Sequence, residues 1–143
     1  MPSTIAVVSD LLGTLTVQPS AVITFPHGLL GFPECRSFIL LPSEREHVYW
    51  LQSMDYSTLA FLMVDPFIFF DGYTVDLAAT DIVHSVTSPD DVTVLAIVTL
   101  PQRRSEKSTA NLQGPVVINT RSCEGHQVVL ADGRYAIRET FDL

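Results

Sequence analysis

The amino-acid sequence predicts a mainly β protein, a compact antiparallel β-barrel-like single domain with one short helix. Two observations predict this fold class. Short apolar runs recur along the chain between turn residues, and only one segment keeps a helical period. Core material is also ample, because 47% of the 143 residues are hydrophobic and the mean hydropathy is +0.30. A chain of this length fits one domain.

The first residues divide into a mixed segment and two strand candidates. Residues 1–13 end at Gly13, and we treat them as an N-terminal segment ahead of a single domain at 14–143. Within that domain, residues 14–17 alternate threonine with leucine or valine, which is typical of a half-buried strand. A second strand is predicted at 22–25.

A glycine-rich and proline-rich segment follows at 26–33. Two prolines and two glycines within eight residues predict a loop rather than a helix. The loop is apolar, since it carries Leu29, Leu30 and Phe32. Apolar loops usually fold back over a core and less often present a contact surface.

The middle of the chain reads as three strands. Residues 38–41 and 48–51 are strand candidates joined by a charged, solvated connection at 43–46. Residues 59–64 are wholly apolar. The short length of this run and the Asp-Pro pair after it favour a buried strand over a helix.

The last third holds the helix candidate and the remaining strands. Residues 77–86 have the best helical period in the chain. The β-branched run at 92–100 predicts a central strand. Further strands are predicted at 115–119 and 127–131, and an Asp-Gly turn leads the latter into a hairpin partner at 135–137.

The charge balance is acidic. Sixteen acidic residues stand against eight basic ones, which gives a net charge of -8 and a pI near 4.7. Such a chain is repelled by a phosphate backbone, so direct nucleic-acid binding is not expected. Acidic surfaces favour encounter with basic proteins, although solubility alone also explains the composition.

Nothing in the sequence predicts export or membrane insertion. The N-terminus lacks the basic region of a signal peptide, and the apolar runs are too short to span a bilayer. The two cysteines, Cys35 and Cys123, are too few for a disulfide framework, and neither lies in a CxxC motif. We therefore expect a cytoplasmic protein without membrane association.

The sequence contains no recognisable catalytic or cofactor motif. It has no GxSxG, GxGxxG or GxxxxGK motif, and its four histidines lack metal-ligand spacing: His27, His47, His84 and His126. Adjacent carboxylates at Asp90 and Asp91 point in different directions in a turn. The sequence therefore predicts a protein that is not an enzyme and has no catalytic residue, metal or cofactor.

Several segments together resemble the FliW family of flagellar assembly factors, over roughly residues 14–141. The segments are FPHGLLGFPE at 25–34, LQS at 51–53, AFLMVDP at 60–66, DGY at 71–73 and TANLQGPVVINT at 109–120, followed by QVVL at 127–130, Tyr135 and Arg138. Leu30 departs from the family pattern, which commonly has a proline between the two glycines.

The resemblance implies a compact antiparallel β-barrel-like fold and a cytoplasmic protein without a cofactor. It also implies two partners. FliW proteins bind flagellin as a chaperone before export, and they bind and antagonise CsrA, an RNA-binding translational repressor. Flagellin that is awaiting export sequesters FliW, and export frees FliW to restrain CsrA, so that flagellin translation resumes.

Ten residues are candidate partner contacts. An apolar groove for an amphipathic flagellin helix would use the residues of the glycine-rich segment: Phe25, Leu29, Leu30 and Phe32. The other candidates are one of two adjacent strand aromatics and residues of the resembling motifs: Trp50, Tyr73, Asn111, Leu112, Asn119 and Gln127.

Structural roles compete with contact roles for several of these candidates. Asn111 and Asn119 flank a strand, where turn bonding to the backbone is the commonest role. Gln127 could satisfy buried backbone groups. Trp50 and its neighbour Tyr49 would face opposite sides of a strand, so that one belongs to the core.

Two other classes of function stay open from the sequence. A small β-barrel enzyme or ligand carrier would show a deep pocket with convergent polar groups. A purely structural subunit would self-associate through a sheet edge.

Overall fold

The computed structural model describes residues 4–76, 91–131 and 133–143. These residues form β-strands, one short α-helix and one 3₁₀ turn at Pro19–Ala21. The strands are β1 (Ile5–Ser9), β2 (Gly13–Val17), β3 (Val22–Thr24), β4 (Ser37–Pro42), β5 (Val48–Ser53), β6 (Ala60–Val64), β7 (Val92–Thr99), β8 (Ser108–Ala110), β9 (Val116–Asn119), β10 (Glu124–Gln127) and β11 (Glu139–Phe141), and the helix is α1 (Pro66–Phe69).

Seven of the strands close into a barrel. Within the described ranges the order runs β7-β6-β5-β4-β3-β10-β9, and β9 pairs back with β7. These pairings are antiparallel except for one parallel contact, between Glu124 of β10 and Thr24 of β3. The predicted antiparallel β-barrel-like fold is therefore confirmed.

The remaining strands lie outside the closed barrel. Strands β8 and β11 extend the sheet beyond β7, with β11 at its end. Strands β1 and β2 form a separate hairpin, in which Ser9 pairs with Gly13. The sequence pattern predicts no strand in residues 1–13, and the hairpin spans the predicted boundary between the N-terminal segment and the domain.

The side chains of the barrel strands alternate between two hydrophobic clusters. The inner cluster fills the barrel and combines Ile23, Phe25, Leu29, Cys35, Phe38, Leu51, Met63, Leu95, Val116 and Ile118. Phe25 and Phe38 meet edge to face at 5.3 Å between ring centroids. In β6, Met63 belongs to this cluster while its neighbours Leu62 and Val64 do not, as the two-residue period of a strand requires.

The outer cluster lies against the opposite face of the same strands. Its buried members are Val48, Leu62, Val64, Tyr73, Ala96, Val98, Ala110, Leu112 and Phe141. Half-buried aromatic residues pack around it, namely Trp50, Phe69, Phe70 and Tyr135. The segments at 66–75, 130–131 and 133–143 thus cover one outer face of the barrel.

The described helix is not the one that the sequence predicts. The predicted helix at 77–86 lies outside the described residues. Helix α1 begins instead after Asp65, whose side chain accepts a hydrogen bond from the backbone N–H of Phe67 at 2.9 Å. Pro66 occupies the first helical turn, where a missing N–H costs nothing. The Asp-Pro pair is thus a helix start as well as a strand end.

The predicted strand at 127–131 and its hairpin are wrong in position. Strand β10 ends at Gln127, which pairs with Val116 of β9. The residue before Val116 is Pro115, which has no N–H to donate and so cannot continue the pairing. The backbone N–H of Val128 still donates to the Pro115 carbonyl at 3.0 Å. Residues 135–137 form no strand, and the predicted turn includes residue 132, which lies outside the described residues.

Candidate functional site

The glycine-rich segment forms a compact loop at one end of the barrel. The backbone N–H groups of Leu29 and Phe32 each donate to the other residue's carbonyl, at 3.2 and 2.8 Å. Gly28 has a φ of 65°, and a Cβ atom there would overlap the backbone of Phe32 and Pro33. The tight return of this loop therefore requires glycine at position 28.

The loop directs most of its apolar side chains inward. Phe25 is completely buried and Leu29 is 2% exposed, so both belong to the inner cluster. Phe32 is half-buried against the same cluster, where it meets Phe61 edge to face. Phe25 therefore belongs to the core and not to a surface groove, whereas Leu29, although buried, borders the cleft beside this loop. Leu30 alone of the four candidates is largely exposed, at 59%.

Gln127 fixes the position of Leu30. The Gln127 Oε1 atom accepts a hydrogen bond from the backbone N–H of Leu30 at 2.8 Å, and its Nε2 atom donates to the Gly114 carbonyl at 2.9 Å. Asn111 Oδ1 accepts from the backbone N–H of Gly114 at 2.8 Å. We call these four residues, Leu30, Asn111, Gly114 and Gln127, the loop clamp. Three of the ten candidate residues thus meet in one place.

A shallow cleft of 220 Å³ lies beside the loop clamp. His27 and His126 face each other there, with ring centroids 6.1 Å apart. His126 Nε2 lies 3.0 Å from Glu124 Oε1. The pairing of His126 with Glu124 was not predicted, although their i, i+2 spacing on a strand places both side chains on one face.

Asn119 and Trp50 lie apart from the loop clamp. Asn119 is buried, and its Oδ1 atom accepts from the backbone N–H groups of Arg121 and Ser122 at 3.0 and 3.1 Å, the predicted turn-bonding role. Trp50 is half-buried in the outer cluster while Tyr49 packs on the inner one. The two rings face opposite sides as predicted, but neither is fully exposed. Trp50 lines a separate cleft with Leu12 and other apolar residues.

Tyr73 and Leu112 form the floor of a second surface. Both are buried, and the Tyr73 hydroxyl donates to the Leu112 carbonyl at 2.8 Å. The Tyr73 ring meets Tyr135 at 4.6 Å, and the Arg134 guanidinium lies 5.2 Å from the Tyr135 ring centroid. Together with Phe141 these residues line an open groove of 530 Å³, which we call the aromatic groove.

The described residues offer little for catalysis. They contain no group of three or more histidine, cysteine or acidic side chains placed to hold a metal ion. Burial raises the pKa of the Cys35 thiol, and the carboxylates of Glu34 and Asp55 raise it further, which disfavours the nucleophilic thiolate. None of the described helices has the length and apolar character that crossing a bilayer requires.

Comparison with known families gives one match over nearly the whole chain. The model of the family described as FliW protein matches residues 6–141. Flagellar assembly factor FliW of Natranaerobius thermophilus is 36% identical over 138 residues, covering 92% of this chain and 89% of that protein. The Bacillus subtilis protein of the same name is 38% identical over 128 residues, and the match covers 88% of this chain and 89% of that protein.

A solved structure has the same fold. The crystal structure of the flagellar assembly factor FliW superimposes with a TM-score of 0.85 at 29% sequence identity. The superposition covers 95% of this chain and 96% of that one. With a closed barrel, a matching family model and relatives above one-third identity, the chain belongs to the FliW family.

Proposed function

We propose that this chain is a non-enzymatic flagellar assembly factor that binds flagellin as a chaperone and binds and antagonises CsrA. It acts in the cytoplasm, where it couples flagellin translation to export. Membership of the FliW family supports this function, because relatives that match most of the chain are named flagellar assembly factors. The surfaces of the described residues agree with action by stoichiometric binding.

The exposed and anchored Leu30 is the observation that carries the proposal. An isolated exposed leucine is common on protein surfaces. Leu30 differs because Gln127 holds its backbone and the return of the glycine loop fixes its position. An apolar side chain presented on a fixed loop loses little conformational entropy on binding. Such a side chain suits the apolar face of an amphipathic helix.

The absence of a built catalytic constellation among residues 4–76, 91–131 and 133–143 favours binding over turnover. The cleft beside the loop clamp holds a His–carboxylate pair, but its lining includes no serine, threonine or cysteine nucleophile. The clefts lined by the described residues are open to solvent and not enclosed. A small β-barrel enzyme or ligand carrier would instead bury most of its ligand's surface.

Charge supports the second partner. CsrA must attract RNA, so its RNA-binding surface has to be positive. This chain carries a net charge of -8, so long-range electrostatic attraction speeds its encounter with CsrA. Affinity for CsrA is therefore expected to fall as ionic strength rises.

Calorimetric titration of the purified chain against flagellin and against CsrA tests the proposal. We expect one saturable complex with each partner at micromolar concentration. Leu30→Asp is expected to weaken flagellin binding at least about tenfold, because it places a charge in an apolar contact. The matched control is Leu11→Asp, since Leu11 is 56% exposed in the turn of the β1–β2 hairpin and does not line the cleft beside the loop clamp.

The outcomes separate the parts of the proposal. Unchanged flagellin affinity in Leu30→Asp would show that the loop clamp does not contact flagellin, although the chain would still bind it. Absence of binding to both partners would contradict the proposed function as a whole.

A further inference from the structure

The aromatic groove has a floor of rings and a rim of carboxylates. Tyr73, Tyr135 and Phe141 form the floor, and Asp71, Glu139 and Asp142 line the rim. The Tyr73 hydroxyl is occupied by the Leu112 carbonyl, and the Tyr135 hydroxyl accepts from the backbone N–H of Thr74 at 3.0 Å. Ring faces and edges, rather than hydroxyl groups, therefore define the floor.

This combination suits a cation. Aromatic faces carry negative electrostatic potential, and exposed carboxylates add to it. The chain itself displays the interaction, because the Arg134 guanidinium lies 5.2 Å from the Tyr135 ring centroid and donates to Thr74 Oγ1 at 3.2 Å. The groove thus already accommodates a guanidinium, supplied by its own chain.

The rim is only weakly neutralised. Arg134 is the one cation among the described lining residues, against three carboxylates. Lys107 approaches Asp142 at 3.7 Å, but both side chains are largely exposed, at 61% and 88%. Exposed pairs of this kind contribute little and exchange partners readily in water.

The position of strand β11 favours a protein segment as the occupant. Four consecutive residues from Glu139 to Asp142 line the groove, so the groove runs along this strand. Among the residues that the structure describes, strand β11 is the terminal strand of the sheet, and it pairs with β8. A terminal strand offers backbone groups to an extended segment that lies beside it.

We propose that the aromatic groove docks an extended basic segment of a partner protein. The segment lies along β11 and places an arginine or lysine side chain on Tyr135, where Arg134 now sits. This inference rests on the proposed function, in which the chain acts by binding proteins. It adds a surface distinct from the loop clamp and states the chemistry of the segment that it receives.

The sign of the Arg134 effect tests the proposal. The probe is the capped peptide acetyl-Gly-Arg-Gly-Arg-Gly-amide, and NMR chemical shifts of the chain report its binding. We expect shifts confined to residues 69–74, 112 and 134–142, and about threefold tighter binding in Arg134→Ala, because the competing internal guanidinium is removed. Weaker binding in Arg134→Ala would overturn the proposal, because it would show that the Arg134 guanidinium attracts the ligand, as it would attract an anion.

Matched variants distinguish binding at the aromatic groove from non-specific attraction to the acidic surface. The double variant Glu139→Gln, Asp142→Asn is expected to weaken peptide binding about fivefold. The control Glu44→Gln, Glu46→Gln removes the same charge from the β4–β5 connection and is expected to change the affinity by less than twofold. Equal losses in both variants would show non-specific attraction and would contradict a built site.

Two further ligands complete the test. The peptide with citrulline in place of arginine keeps the shape and loses the charge, so we expect no saturable binding. Spermidine that binds as tightly as the peptide would indicate a small-polyamine site instead of a docking surface. Calorimetry with flagellin and CsrA on the same samples keeps the two proposals distinct, because a chain that binds both proteins but ignores the peptide contradicts only the groove inference.

Discussion

The inner and outer hydrophobic clusters are built by the same strands but differ in character. The inner cluster is almost entirely sealed, with Phe25, Phe38 and Leu51 fully buried. The outer cluster is covered by half-buried aromatic side chains, and it opens into the aromatic groove. Alternation along each strand sends one residue to each cluster, as the two-residue period dictates.

The difference between the two clusters shows which part of the molecule sets the shape of the barrel and which part is available for binding. A close-packed interior tolerates little change in volume, so the inner cluster fixes the form of the barrel. The outer face has exposed aromatic rings and carboxylates that are not needed to stabilise the barrel fold. The loop clamp joins the two, because Leu29 packs inside while the next residue, Leu30, is held outside by Gln127.

The largest expected effect compares one aromatic residue from each cluster. Phe38→Ala removes a fully buried ring, and it is expected to lower the free energy of unfolding by about 3–5 kcal/mol. Phe69→Ala removes a half-buried ring of the outer cluster and is expected to cost about half as much. Urea denaturation measures both. Equal losses would contradict the distinction between a sealed and an open cluster.

A smaller effect tests how tightly the interior is packed. A Cβ atom at Gly125 would lie 2.5 Å from Cζ of the buried Phe25 ring. We expect Gly125→Ala to cost about 1–3 kcal/mol through overpacking.

The control for overpacking is Gly31→Ala. Gly31 has open space around it but a φ of 86°. Only backbone strain is added there, so the expected cost is about 1 kcal/mol. A loss in Gly125→Ala no larger than that of the control would show that the Phe25 ring moves aside.

The next effect is local to the loop clamp. Gln127→Ala removes hydrogen bonds to Leu30 and Gly114 and is expected to lower the free energy of unfolding by about 1–2 kcal/mol. Amide hydrogen exchange at Leu30 should accelerate more than exchange within β6. The control is Gln18→Ala, because the Gln18 side chain makes no capping hydrogen bond. Unchanged exchange at Leu30 would contradict the anchoring role.

The smallest effect compares the two cysteines. Cys35 is 1% exposed and Cys123 is half-buried, and both are free thiols. Burial and neighbouring carboxylates raise the pKa of Cys35, so its thiolate fraction at pH 8 is lower than that of an ordinary cysteine. Iodoacetamide should modify Cys123 first, and the Cys35 rate should keep rising at higher pH. Preferential modification of Cys35, found by peptide mass spectrometry, would contradict this assignment.

Much of the barrel was predictable from local patterns. The runs at 38–41, 48–51, 59–64 and 92–100 became β4, β5, β6 and β7, because apolar runs between turn residues encode buried strands directly. Strand β10 lies at 124–127 and not at the predicted 127–131, since its end depends on Pro115, the residue that precedes its partner strand β9. Pairing across the sheet is a tertiary property that one segment does not reveal.

The candidate site was only partly predictable. Turn bonding by Asn111 and Asn119 follows from residue type and position, and both bonds form. The inward direction of Phe25 and Leu29 could not be read from the loop sequence, because it depends on how the loop folds over the barrel end. The contact between Gln127 and Leu30 joins residues 97 positions apart, so no local pattern signals it.

Hydrogen exchange of the chain, free and saturated with flagellin, tests the central claim most directly. We expect added protection around residues 28–31 of the glycine loop, while exchange in strands β5 and β6 of the barrel stays unchanged. Such a result means that a preformed outer surface binds flagellin and that the interior keeps its shape. Protection throughout the barrel strands, or no protection anywhere under saturating flagellin, would contradict it.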